Sequence, residues 1–169
     1  ATDDPNPRVS GRGIRFLRDR GIVVDVGVGA PEAARLNRPF FTAMRAGRPW
    51  VIAKIALSAD GRVAAGVGAR TMLSSAPANR RSQLLRGEVD AIAVGSGTML
   101  TDDPLLTCRD VFRARPLTRV VFDRRLRTPA SARVFTTLAD GPIVIVTDDA
   151  HATAWPARAR FFASVRAML

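Results

Sequence analysis

An α/β fold with a largely parallel sheet is the class this sequence predicts, and three observations carry it. The runs VDAIAVG (89–95), TRVVFD (118–123) and IVIVT (143–147) are short, apolar and rich in β-branched residues, as covered strands are. Segments of helical character with recognisable starts and stops alternate with strand-like runs. Polar, often glycine-bearing clusters follow several of the runs, where open α/β sheets bind their ligands.

Along the chain, residues 13–20 (GIRFLRDR) carry Ile14 and Leu17 on one side, a short amphipathic helix closed by Gly21. Residues 22–28 (IVVDVGV) read as a strand. Pro31 opens a second helix, with Ala33, Leu36, Phe40 and Met44 approximating its inner face; Pro39 must kink or interrupt it, and Gly47 ends it. Residues 50–57 (WVIAKIAL) are apolar apart from Lys54 and predict a strand covered on both faces, followed by the turn SADG. Ser74 or Ser75 caps a helix to Arg86, with Leu84 and Leu85 inward and Gly87 as its stop. Beyond Asp149, residues 155–169 read as a helix with Phe161, Val165 and Met168 inward, and no further strand is expected. The one candidate domain boundary is the hinge at residues 47–49.

With 169 residues, 47% of them apolar, the chain suits one domain with a real core. No apolar run reaches 18 residues, which excludes a membrane-spanning helix. The start, ATDDPNPRVSG, is unlike a secretion signal, and the single cysteine, Cys108, fits a reducing compartment; a cytoplasmic location is expected. The net charge of +11 raises a polyanion as a partner, but the basic residues are spread from Arg8 to Arg166 with few aromatics among them, which argues against nucleic acid. Of the 26 basic residues only Lys54 is a lysine, which marks a place where a compact, titratable ammonium is wanted, unless it survives by chance.

Chemistry is expected in three clusters: residues 58–61, 95–104 and 122–125. Gly95 and Gly97 let backbone approach a phosphate, or simply make a tight strand-to-helix turn. Asp102 and Asp103 are adjacent, so their carboxylates diverge; a helix cap or a turn fixed by Pro104 is the simpler reading. One His and one Cys cannot supply a zinc set, and His151 reads as an exposed loop residue.

The stretches RPWVIAKIALSADGRVA (48–64), LLRGEVDAIAVGSGTMLTDDPLLTCR (84–109) and PLTRVVFDRRLRTP (116–129) together resemble the reductase half of the bifunctional riboflavin-biosynthesis deaminase/reductase family. The family pattern, Lys-x-x-x-Ser-x-Asp-Gly-Arg, then Arg before a strand, then Gly-x-Gly-Thr-x-x-x-Asp-Asp-Pro-x-Leu-Thr-x-Arg, is present letter for letter across residues 48–149. The resemblance implies a dihydrofolate-reductase-like sheet, here incomplete, spanning residues 48–169. Residues 1–47 resemble the last helix-strand-helix segment of the deaminase half, without its zinc motifs, so no deamination is expected.

It further implies NADPH as cofactor, held by Ala56, Gly97, Thr98 and Asp102. A phosphorylated ribosylaminopyrimidine would meet Lys54, Arg70, Arg86, Leu106 and Arg109, with Lys54 in the catalytic position. The implied reaction is NADPH-dependent reduction of 5-amino-6-(5-phosphoribosylamino)uracil by a homodimer. Two departures stand out: Arg70 and Met72 replace the family's usual residues, and its later Glu-Gly-Gly turn has no counterpart. The alternative is therefore a catalytically inactive chain that serves only to bind a partner.

Overall fold

The computed structural model describes residues 3–66, 68, 70–148 and the backbone of 159–162. The chain divides into two compact units, Ala1–Lys54 and Ile55–Leu169.

The first unit is helical. α1 (Arg12–Arg18) overlaps the expected segment, starting one residue earlier, and Gly21, at φ 74°, closes the turn after it. The second expected helix is two: α2 (Ala30–Leu36) and α3 (Arg38–Ala46). The break falls at Asn37 because Pro39 lacks an N–H and is tolerated only in a first turn, where α3 places it. Gly47 ends α3 at φ 60°, its N–H returning to the Ala43 carbonyl. The apolar face is narrower than expected: Phe41 is buried, whereas Leu36, Phe40 and Met44 are exposed. Residues 22–28 are not a strand, for they have no ladder partner among the described residues.

The second unit carries the sheet. Residues 50–57, which join the units, form no strand either, and Val51 and Ile55 are 72% and 67% exposed. Composition favours an extended backbone there, but a strand exists only through pairing, which local sequence does not supply. The SADG turn does form: Gly61, at φ 77°, donates to the Ser58 carbonyl, and Ser58 Oγ accepts from the Arg62 N–H at 3.1 Å.

α4 (Ala76–Glu88) starts at Ser75, whose hydroxyl accepts from the Ala78 N–H at 3.4 Å. It runs through Gly87 rather than stopping there. Gly87 instead permits close packing: a Cβ would sit 2.6 Å from Val111 Cγ1. The end of α4 is tied down by Arg113, whose Nη1 donates to the carbonyls of Arg86, Gly87 (3.2 Å) and Val89 (2.8 Å). Leu85 is half-buried as expected, whereas Leu84 is 37% exposed.

Strands β1 (Ala91–Gly95), β2 (Thr118–Phe122), β3 (Ile143–Val146) and β4 (Ala159–Phe162) form one parallel sheet in sequence order. The pairing aligns Ile92 with Arg119 and Ile143, and Val94 with Val121 and Ile145, so these residues share one face. That face is covered by α5 (Ser96–Asp102) through Met99, and by Leu106, Val134 and Leu138 from the segments between strands. The opposite face is open at β1, where Ala91, Ala93 and Gly95 are exposed. β4 corrects the expected C-terminal helix: the edge of β3 recruits residues 159–162 as a strand. Val165, Met168 and His151 lie outside the described residues.

Candidate functional site

α5 organises the site. It leaves the sheet at the carboxyl end of β1, where Gly95 is still extended and Ser96 begins the helix. Gly97 and Thr98 are exposed in its first turn, and a Cβ on Gly97 would meet nothing within 4 Å, so this surface is open to a ligand. Beside it, Arg127 donates from Nη2 to Ser96 Oγ at 2.6 Å. Arg124 and Arg125 are exposed on the same loop, which follows β2. The cluster FDRR therefore supplies cations to the carboxyl edge of the sheet, and Arg127 adds a contact that sequence reading missed.

The loop is held by Asp123, which is fully buried. Its Oδ2 accepts from both the N–H and the hydroxyl of Thr128 at 2.7 Å. Burial raises the carboxyl pKa, but the bonds from Thr128, with a backbone bond and the charge of Arg127, outweigh it and leave the pKa below its ordinary value. A folded-state pKa below the unfolded one gives stability that is full above the unfolded value near pH 4 and fades as pH falls through the folded value. Thermal melts from pH 6 to 2 should therefore show a steeper acid loss in the native chain than in Asp123→Asn; identical pH slopes would remove Asp123 from this role.

At its far end, α5 stops with Asp103 in the left-handed region, φ 41°, and Asp103 Oδ1 accepts from the Arg133 N–H at 2.9 Å. The two aspartates thus diverge, as adjacency demands. Asp103 is a C-terminal pin, while the half-buried Asp102 carboxylate has no hydrogen-bond partner among the described residues.

The turn after α5 brings two predicted substrate residues together. Arg86, from the last turn of α4, donates from Nη1 to the Thr107 carbonyl at 2.8 Å. Gln83, one helical turn earlier, accepts the Arg109 N–H on Oε1 at 3.0 Å and the Cys108 thiol on its carbonyl at 3.6 Å. Partial burial lowers the Arg86 pKa, and the charge of Arg109 lowers it further. The charges of the two guanidinium groups oppose each other, and neither has an ion pair among the described residues. Gln83 was missed, because residues 26 apart in sequence give no local signal.

Leu106 is placed differently. Its side chain is 3% exposed and packs in the core beside Met99 and Val121 at φ 56°, so it shapes the turn from below. Lys54 is exposed and closes the first unit, while Ala56 and Arg70, in the second, belong to no helix or strand. Gly97 and Thr98 thus lie in the first turn of α5, while Arg86 and Arg109 meet around the turn that follows it. Among the described residues no group of His, Cys, Asp and Glu could hold a metal, and no helix is long and apolar enough to cross a membrane.

A four-stranded parallel sheet with helices and loops over one face is the framework of an α/β domain. The family model described as the RibD C-terminal domain matches residues 49–165, and the chain belongs to that family. It is 40% identical over 147 residues to the riboflavin biosynthesis protein RibD of Aquifex aeolicus, covering 87% of this chain and 41% of that protein. RibD of Escherichia coli is 44% identical over 106 residues, 63% of this chain and 29% of its own length. The solved structure of Acinetobacter baumannii RibD, form 1, superposes with a TM-score of 0.75 at 33% identity, covering 86% of this chain and 42% of that one. The chain thus spans about two fifths of the length of the first of these relatives, and its fold is that of the RibD reductase region.

Proposed function

We propose that the chain carries the NADPH-dependent reductase step of riboflavin biosynthesis, reducing 5-amino-6-(5-phosphoribosylamino)uracil to its ribitylamino product. The observation that carries the reading is the pairing of Arg86 and Arg109 around the turn after α5, with Gly97 and Thr98 open in the first turn of that helix. The arginines hold the substrate phosphate. Gly97 and Thr98, with the basic loop after β2, receive the phosphates of NADPH, and the uncommitted Asp102 carboxylate hydrogen-bonds the cofactor.

The nicotinamide supplies a hydride to the ribosyl C1′. The bond from C1′ to the ring oxygen breaks in the same reduction, and that oxygen must gain a proton. Lys54 supplies it, an ammonium serving where a permanently charged guanidinium could not. Ala56 adjoins the cofactor, Leu106 fixes the turn, and Arg70 adds a cation on the substrate side. The protein works as a cytoplasmic homodimer, and residues 1–47 are the tail of a deaminase domain.

The test is direct titration with NADPH. Thr98→Val and Asp102→Asn should each weaken binding about tenfold, the worth of roughly one hydrogen bond to a charged group. Binding unchanged by both substitutions would overturn the assignment.

One observation favours a second reading, a chain that acts through a partner. Ala91, Ala93 and Gly95 leave a face of β1 uncovered, and the apolar residues 50–57 are unpaired among the described residues. A folded monomer with full activity would dismiss it.

A further inference from the structure

A second basic cluster lies within the first unit, built from residues other than those given a role in the reduction. α2, α3 and the residues just after them border an open cavity of about 430 Å³ lined by Arg35, Arg38, Arg45 and Arg48 over Phe41 and Thr42. The spacing explains the arrangement. Arg38, Phe41, Thr42 and Arg45 stand at i, i+3, i+4 and i+7 on α3 and so share one face, while the end of α2 brings Arg35 and the α3 stop at Gly47 brings Arg48.

No carboxylate lines this cavity, and none of the four arginines has an ion pair among the described residues. Two are held in place by rings: the Arg45 guanidinium lies 4.7 Å from the Phe41 centroid and that of Arg38 5.2 Å from the Trp50 centroid. Like charges gathered without a counter-ion, on oriented forks, are what a polyanion needs.

We infer that this cavity binds a small phosphoryl polyanion of the di- or triphosphate class, without an aromatic base. The same rings decide against nucleic acid. Single-stranded binding draws on free aromatic faces for stacking, and here guanidinium groups already lie over Phe41 and Trp50. Four guanidinium groups offer more donors than one phosphate would use, which favours a chain of two or three.

Trp50 reports directly on the site, since Arg38 lies over its ring. In the full chain carrying Trp155→Phe, sodium triphosphate should change Trp50 fluorescence saturably, more tightly than orthophosphate and with affinity that falls as salt rises. The pair Arg38→Gln/Arg45→Gln should raise the Kd for triphosphate at least tenfold, read by calorimetry because it also removes the optical reporter. Arg35→Gln/Arg48→Gln should do the same while leaving the circular dichroism spectrum and the NADPH affinity unchanged. Equal binding in both pairs would overturn the inference. So would loss of binding in Arg86→Gln/Arg109→Gln instead, which would place the anion at the reductase site, or tighter binding of a single-stranded oligonucleotide of equal charge.

Discussion

Arg86→Gln is expected to lower kcat/KM for the phosphorylated pyrimidine about a hundredfold, the equivalent of roughly 3 kcal/mol and at the upper end for a charge-assisted hydrogen bond. Arg86 spends one Nη on the Thr107 carbonyl and keeps its other donors. It is half-buried, so solvent screens it less than it screens the exposed Arg109, and Arg109→Gln should cost nearer tenfold. An unchanged circular dichroism spectrum and Tm in Arg86→Gln would separate loss of charge from collapse of the turn. Because the two charges face one ligand, the double variant should lose less than the product of the single effects. Fully independent losses would mean that the arginines serve different ligands.

The largest effect on stability should come from Gly141→Ala. Gly141 has φ 152° and ψ 171°, a conformation essentially reserved for glycine, and an added Cβ would sit 2.5 Å from the Leu117 carbonyl oxygen. That neighbour is backbone, so it cannot swing aside. The Gly141 carbonyl also accepts from the buried Arg119, whose other bonds reach Thr137 Oγ1 at 2.6 Å and the Thr137 carbonyl at 2.9 Å. Displacing Gly141 disturbs this network between β2 and β3. A loss of about 3 kcal/mol is expected, or roughly 10 °C in Tm for a domain of this size. A melt within 2 °C of the native chain would show that the Leu117 segment yields.

Much of this structure was legible wherever a local rule decides the outcome. Pro39 splits the helix pair and Gly47 ends it, Ser75 caps α4, and the three β-branched runs form strands. What failed depends on partners distant in sequence. Residues 22–28 and 50–57 have strand composition but no ladder among the described residues, and residues 159–162 pair with β3 although their sequence suits a helix. Gly87 resembled a helix stop, yet its smallness serves Val111, 24 positions on.

The site divides in the same way. The polar clusters after β1 and β2 could be found from strand ends alone, but the meeting of Arg86 with Arg109 could not. It depends on Gln83 and on the fold of the turn after α5, and only family resemblance pointed to it. Conversely, the burial of the Leu106 side chain beneath the turn had no local signal in the sequence.

The most direct measurement is NADPH consumption by the purified chain with 5-amino-6-(5-phosphoribosylamino)uracil, followed by loss of nicotinamide absorbance and recovery of the ribitylamino product. The expected result is turnover that falls about a hundredfold in Arg86→Gln and is abolished in Lys54→Ala, with both variants folded. A folded chain that binds NADPH and the substrate yet consumes neither, or turnover indifferent to both substitutions, would contradict the proposed function.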